Sequence, residues 1–317
     1  MNKIMKIAYV MDPPGAIKPY KDSSIALMQA ANAKGHENFY LMQDGLYIKN
    51  NMAGGLCAPV HKADETAFEY GEWQDRPLGD FDVIFMRKDP PVDKAFIQTT
   101  YILDQAMRDG AGVINSPAAL RHYNEKIYAS LFPDLIPQTL ISANADQIYA
   151  FIQSLERAVL KPVDMMGGYG VFVTDKQDHN LDVIIEMLTG GGRTHIIVQN
   201  FLPEIQNGDR RLIMINGAIA DHALVRYPKD GSLRGNMAAG GTYKVEPIND
   251  RDRHIAGIVG PRLVQDGIIL AGLDVIGGHL IEINHTSPTG LREIHNLAGE
   301  DVSGKIIESA ALYTARK

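Results

Sequence analysis

The segment from Gly272 to Asn284 constrains this chain more than any other. Two apolar runs meet at Gly277-Gly278, and Asp274, Glu282 and Asn284 interrupt them with oxygen-bearing side chains. Side chains alternate across a strand, so a one-residue slip in pairing sends every residue to the opposite face. A strict two-residue turn at the glycines would set Leu273 opposite Glu282 and mix the faces. A three-residue loop at 276–278, with Gly278 left-handed, instead sets Leu273 opposite Ile281. Leu273, Val275, Ile281 and Ile283 then share the buried face, while Asp274, Glu282 and Asn284 share the other with Leu280. The register that buries the apolar residues also gathers the oxygens. Two carboxylates and a carboxamide suit Mg²⁺, a hard cation that bridges sparse protein ligands to phosphates. The plainer alternative is a solvated sheet face. Ser287-Pro288-Thr289-Gly290, a donor-rich loop directly after the strand, argues against it.

The order of elements divides the chain in two. Residues 4–10 read as a buried strand ended by Pro13-Pro14-Gly15, and Asp22-Ser23-Ser24 offers capping oxygens to a helix that Gly35 can stop. A strand is expected at 39–42, then an irregular or short-stranded span at 44–76. A strand at 83–86, a helix at 93–108 and a short strand at 113–114 follow. Strands alternating with helices predict a doubly wound parallel α/β unit over residues 1 to about 120. Beyond a boundary near 121–126 the grammar changes to α+β. Strands at 159–161, 171–173, 196–199, 211–215 and 218–226 are joined mostly by short turns, with helices at 145–155, 179–188 and 251–266. Asn216-Gly217 is a strong hairpin signal, because a type I′ turn needs positive φ at both positions.

Size and charge bound the function. A chain of 317 residues has room for about two domains. Its formal charge of −7 makes it a poor general nucleic-acid binder. The N-terminal apolar run is too short for a signal peptide or a membrane span. Cys57, the single cysteine, allows neither an intramolecular disulfide nor a cysteine zinc cage, and reads as an incidental thiol. A cytoplasmic location is expected. The histidines lack the spacing of a metal motif.

Two further features carry chemistry. Lys161-Pro162 ends a strand and runs into Asp164-Met165-Met166-Gly167-Gly168-Tyr169-Gly170 before another strand. Glycines let backbone N–H groups approach phosphate oxygens, and a nearby ammonium adds charge. The segment lacks the Gly-Lys-Ser/Thr of a P-loop and the following helix of a dinucleotide fold, and a glycine-rich hairpin explains the loop about as well. Arginine is concentrated between the two features: Arg210, Arg211 and Arg226 stand on strands, and the loop 227–241 carries Arg234 and Asn236. A planar guanidinium is the natural partner of carboxylates and phosphates, although any one of these taken alone could be a solvated surface charge.

Taken in this order, these features resemble the ATP-grasp ligases, and among them the bacterial glutathione synthetase family. The resemblance rests on Lys21-Asp22-Ser23-Ser24, Met86-Arg87-Lys88-Asp89-Pro90-Pro91, Asn124-Glu125-Lys126, Lys161-Pro162 with Met166-Gly167-Gly168, Arg234-Gly235-Asn236-Met237-Ala238-Ala239-Gly240-Gly241, and Glu282-Ile283-Asn284 followed by Thr286-Ser287-Pro288-Thr289. Met165 stands where that family commonly has glycine.

The resemblance implies an N-terminal α/β substrate domain at 1–122 and an ATP-grasp domain at 123–317. The latter would divide into 123–200 and 201–317, with two antiparallel sheets clamping ATP. It places Lys126, Lys161, Gly167, Gly168 and Asp209 about the nucleotide and the hinge Gln199-Asn200-Phe201-Leu202 beside the adenine. Asp274, Glu282 and Asn284 would hold Mg²⁺ (or Mn²⁺). Arg211 and Arg234 would act at the reacting centre. Arg87, Asn200, Arg226, Arg234, Asn236, Ser287 and Thr289, with the turn at 22–24, would bind the peptide substrate. The activity implied is ATP-dependent synthesis of glutathione from γ-glutamylcysteine and glycine through an acyl phosphate. Partners would be these small molecules, with no nucleic acid or membrane, in a dimer or tetramer of the chain. The rival readings are an ATP-grasp ligase with other substrates, which would not need the 234–241 motif, and a non-catalytic nucleotide-binding regulator.

Overall fold

The computed structural model describes residues 3–229 and 242–314. Seven strands form the first sheet: β1 (Lys6–Met11), β2 (Glu37–Lys49), β3 (Met52–Ala63), β4 (Phe68–Tyr70), β5 (Gln74–Pro77), β6 (Val83–Met86) and β7 (Gly112–Ile114). Their order is β4-β3-β2-β1-β6-β7, with β5 also on β3. The stretch β2-β1-β6-β7 is parallel, as the alternating pattern predicts, and β3 to β5 add an antiparallel flank.

The period of two in β1 divides two cores. Ile7, Tyr9 and Met11 face α1 (Ser23–Ala33), while Ala8 and Val10 face α2 (Lys94–Arg108). Asp22 caps α1 by accepting the Ser24 and Ile25 N–H groups at 2.6 and 3.2 Å, and Asp93 caps α2 through Phe96.

The span 44–76, expected to be irregular or short-stranded, carries the short strands β4 and β5 but is otherwise more regular than expected. Most of it is a long hairpin whose turn, Asn50-Asn51, has φ of 51° and 62°. Its glycines are strand residues: a Cβ on Gly54 would lie 2.5 Å from the Tyr47 ring, and one on Gly55 2.7 Å from Leu46. Large cross-strand side chains lie over these glycines, which is why composition misread them as loop. Cys57 is buried in this hairpin.

After α3 (Pro117–His122) comes an antiparallel four-stranded sheet of β8 (Thr139–Ser142), β9 (Ala158–Pro162), β10 (Phe172–Thr174) and β11 (Ile196–Asn200), ordered β10-β9-β11-β8. The helices α4 (Ala145–Gln153) and α5 (Leu181–Thr189) cover it. The third sheet is antiparallel: β12 (Asp209–Ile215), β13 (Ala218–Tyr227), β14 (Thr242–Pro247), β15 (Leu270–Ile276) and β16 (His279–Asn284), ordered β14-β13-β12-β15-β16. Asn216 and Gly217 turn between β12 and β13 with φ of 48° and 82°, and α6 (Asp250–Gln265) packs behind.

The hairpin of β15 and β16 gathers the oxygens by another route than the one expected. Gly277 and Gly278 are both left-handed (φ 56° and 77°) and make the strict two-residue turn. A bulge then leaves Ile281 unpaired, so that Val275 faces Leu280 while Asp274 faces Glu282 and Leu273 faces Ile283. Leu280, not Ile281, therefore joins Leu273, Val275 and Ile283 in the core. The extra residue restores the alternation that a plain hairpin would have mixed.

Two helices unforeseen in the sequence, α7 (Leu291–Ala298) and α8 (Val302–Thr314), end the described chain. Ile306, Ile307 and Ala310 of α8 join Ile7, Tyr9 and Ile25 in one core, so the last helix returns to the first sheet. Asn115 fastens the same seam. Its Nδ2 donates to the Leu270 and His285 carbonyls, both at 2.7 Å, and its Oδ1 accepts the Ile269 and Leu270 N–H groups at 2.8 and 2.9 Å. A carboxamide has two donors and two acceptor positions, and all four are used. Asn115→Ala would strand four buried backbone groups and should lower unfolding free energy by about 2–4 kcal/mol. A urea midpoint equal to wild type would show that these bonds hold nothing together.

Candidate active site

Adjacent strands of the third sheet place a strip of charge inside the protein. Register sets Asp209 opposite Arg226, Arg211 opposite Asp274 and Asp274 opposite Glu282. Arg211 grips Asp274 with two bonds, Nε to Oδ1 at 2.5 Å and Nη2 to Oδ2 at 2.9 Å. Arg226 Nη2 lies 2.9 Å from Asp274 Oδ1 and donates to Asp209 Oδ2 at 2.5 Å. Arg211, Arg226 and Asp274 are all under a tenth exposed. Burial alone would lift the Asp274 carboxyl, but the two guanidiniums override it and hold the group well below the usual carboxylate range. Burial, then the Asp274 charge, pushes Glu282 upward. Burial also raises Asp209 despite Arg226.

The grip depends on a glycine. A Cβ on Gly272 would fall 2.7 Å from Arg211 Cδ and 3.0 Å from its Nε, so the arginine lies flat across β15 only because that position is bare.

Across from this strip stand the lysines of the nucleotide reading. Lys161, on β9, is 6% exposed, and burial depresses its ammonium to about 8 despite the pull of Glu282. Lys126 lies 3.9 Å from Glu282 and also donates to the Met165 carbonyl of the glycine loop. Asn124 hooks the same loop through Val163 O at 3.1 Å, and Gly167, Gly168 and Gly170 follow with φ of 67°, 74° and 70°. Between them Glu125, for which the sequence suggested no role, clasps the end of β16. Its backbone carbonyl accepts Ile283 N–H at 2.9 Å, and its Oε1 accepts the N–H groups of His285 and Thr286 and the Thr286 hydroxyl at 2.7 to 2.8 Å. Residues 124–126 thus tie the glycine loop, one lysine and the strand of Glu282 and Asn284 into one unit.

The other expected residues divide. Ser287 and Thr289 lie between Arg87 and Arg211: Arg87 Nη2 donates to Pro288 O at 3.0 Å, Arg211 Nη1 to Thr289 O at 3.3 Å, and Ser287 bonds Asp89. In the hinge, Gln199 Nε2 bonds Thr139 Oγ1 at 2.9 Å. The N–H groups of Asn200 and Phe201 are already given to the Gln138 and Arg157 carbonyls. Arg234 and Asn236 lie outside the described residues.

As a metal site the donor set is incomplete. Among the described residues no group of three or more His, Cys, Asp or Glu side chains is set to hold a metal. The Asp274 oxygens already accept four contacts, two from Arg211, one from Arg226 and one of 3.2 Å from Asn284. Glu282 shares a side-chain hydrogen bond with Asp274, and the Asn284 carboxamide oxygen carries none among those described, so the residues fit a cation provided Asp274 gives up its contacts to Glu282 and Asn284.

Comparison with known proteins agrees with this architecture. Solved structures with the same fold include the D-cycloserine synthetase DcsG (TM-score 0.68, 13% identity, covering 98% of this chain and 99% of that one). The ATP-grasp ligase PsnB is another (TM-score 0.64, 14% identity, covering 98% and 99%). The fold is that of an ATP-grasp ligase. Family profiles described as prokaryotic glutathione synthetase match the N-terminal domain at residues 5–121 and the ATP-grasp domain at 125–299. The glutathione synthetase of Nitrosomonas europaea is 44% identical over 99% of both chains, and that of Pseudomonas putida 45% identical over 96% of this chain and 97% of its own. The chain belongs to the prokaryotic glutathione synthetase family and is an ATP-dependent, glutathione-forming ligase.

The geometry makes two outcomes testable. Gly272→Ala should cut kcat by about tenfold or more, since dislodging Arg211 costs at least one buried charged bond. Wild-type kcat in that variant would remove Arg211's placement from the mechanism. Lys161 is partly neutral near pH 8, and phosphates favour its charged form, so nucleotide should raise its pKa and draw a proton from solvent. Calorimetry in EDTA at pH 8, where the nucleotide phosphates are already fully ionised, in buffers of different ionisation heat, should show net proton uptake. Lys161→Met should abolish that uptake; an unchanged uptake would assign it to another group.

Proposed function

We propose that the chain joins the C-terminal carboxylate of γ-glutamylcysteine to the amine of glycine through an acyl phosphate. The observation that carries this reading is the meeting of Lys126 and Lys161 with Glu282 and the Asp274–Arg211 pair between two antiparallel sheets. A carboxylate is a poor electrophile, and phosphorylation by ATP supplies a leaving group. Lys126 and Lys161 would neutralise the transferring phosphoryl group, with the loop at Gly167-Gly168 closing over the nucleotide and 199–202 flanking the base. Asp209 is assigned to the nucleotide side, and its bond to Arg226 joins that side to the peptide side. Mg²⁺ held by Glu282, Asn284 and Asp274 Oδ2 would draw charge from the phosphates.

Arg211 is fixed through Nε and Nη2, which leaves Nη1, with only a 3.3 Å bond to Thr289 O, as the donor that turns to the tetrahedral oxyanion. Arg226, Ser287 and Thr289 would line the peptide side, and the substrate-binding roles expected of Arg234 and Asn236 fall outside the described residues. The assignment divides the chain into a substrate unit at 1–122 and a nucleotide unit at 123–317. Among the described residues no helix is long and apolar enough to cross a membrane. A cytoplasmic dimer or tetramer completes the reading.

The test is ADP release with Mg-ATP, γ-glutamylcysteine and glycine, omitting one at a time. Full turnover should need all three and yield one tripeptide per ADP. Glu282→Gln should abolish turnover and leave the melting temperature nearly unchanged. Wild-type protein that is idle with this set would sink the substrate assignment, and an active Glu282→Gln enzyme would sink the metal assignment.

A further inference from the structure

The glycine loop after β9 carries its large side chains in water. Met165 is 48% exposed, Met166 52% and Tyr169 70%, and Phe172 at the start of β10 is 36% exposed. Single apolar residues on a surface are ordinary, but a cluster confined to one short loop marks surface that another state covers. The backbone beneath the cluster is held. Lys126 Nζ donates to the Met165 carbonyl, and Asn124 Nδ2 donates to the Val163 carbonyl at 3.1 Å and to Asp164 Oδ1 at 3.3 Å. Gly167, Gly168 and Gly170 beyond it are left-handed, and a Cβ on Gly167 would meet nothing within 4 Å. A lysine of the nucleotide reading therefore grips the backbone of this segment, while its two thioethers stand half in solvent.

Exposure at that place has a chemical consequence. A thioether reduces peroxides by two electrons. The sulfur lone pair attacks one peroxide oxygen, the O–O bond breaks, and the departing oxygen takes up a proton and leaves as water. The sulfoxide that remains has gained one oxygen, and a flexible apolar side chain has become a polar one. Burial protects a thioether from this reaction. Met5, Met11, Met28, Met86 and Met214 are each at most 4% exposed. Met52, beside the Asn50-Asn51 turn of the first sheet, is 54% exposed and lies on neither the charged strip nor the glycine loop, so it serves as an internal control.

We propose, resting on the assignment of this loop to the nucleotide, that Met165 and Met166 form a peroxide-sensitive site. Reduced, the two thioethers are covered when the loop closes over ATP. Oxidised, they carry polar oxygens into that contact, and closure weakens. The change also reaches Lys126, whose ammonium is bonded to the Met165 backbone. Methionine sulfoxide reductases, one for each sulfoxide epimer, restore the thioethers.

Peptide mapping by mass spectrometry after brief hydrogen peroxide treatment tests the site. In the free enzyme Met165 and Met166 should each gain one oxygen at a rate similar to that of Met52. A saturating magnesium complex of a non-hydrolysable ATP analogue should slow their oxidation severalfold and leave Met52 unchanged. By calorimetry the oxidised enzyme should bind that analogue about fivefold or more weakly, since half-exposed apolar side chains no longer gain from burial. Treatment with the reductases should restore the affinity. In the doubly substituted Met165→Leu, Met166→Leu enzyme the ratio of oxidised to untreated Kd should fall to about one. Loop methionines that oxidise equally fast with and without nucleotide would overturn the site. So would an oxidised enzyme that binds the analogue as tightly as before, or a double variant weakened as much as wild type. Enzyme idle with γ-glutamylcysteine and glycine, yet protected and weakened in this way, would overturn the substrate assignment and leave this site standing.

Discussion

A carboxylate held between two buried guanidiniums governs how the rest of this molecule is arranged. Asp274 could not remain ionised in the middle of a sheet unless Arg211 and Arg226 met it there, and they could not be buried without it. Three strands must keep their register for those contacts to exist. When all are ionised, Arg211, Arg226, Lys126 and Lys161 outnumber Asp209, Asp274 and Glu282 by one charge. A site left slightly cationic in a low dielectric is poised for phosphate and carboxylate groups, whose arrival completes the compensation.

That strip works only if other parts of the chain are delivered to it, and two polar residues do most of the delivery. Asn115 saturates the backbone at the start of β15 and beside His285, holding the first sheet to the third. Glu125 saturates the backbone at the end of β16 and carries Lys126 to Glu282. Neither touches the proposed reacting atoms. Both satisfy buried N–H groups where strands end and ladder partners run out, the place where a fold has no other means of doing so.

Legibility in the sequence followed the range of the interaction. The buried run of β1, the cap at Asp22 and the turn at Asn216-Gly217 depend on neighbours a few residues apart, and all could be read. The β15–β16 hairpin was half legible. The need to bury Leu273, Val275 and Ile283 forces the oxygens together, but that same need can be met by a longer loop or by a bulge, and only packing in the core beneath α6 selects the bulge at Ile281. The hairpin after Gly45 was misread because its glycines answer to the Tyr47 and Leu46 side chains on the facing strand. Gly272 is the same case within the site: its reason is Arg211, far away in sequence and adjacent in the sheet.

One short loop joins the first sheet to the third. Pro288 gives its carbonyl to Arg87, just beyond β6, and Thr289 gives its own to Arg211 on β12. The same seam is held by apolar packing: Ile306 and Ile307 of α8 lie in one core with Ile7 and Tyr9 of the first sheet, Ile213 and Leu224 of the third, and Leu291 and Ile294 of α7, which follows the loop directly. Polar contacts at the loop and burial beneath it thus fix the same relation between the sheets, and the register of the charged strip depends on both.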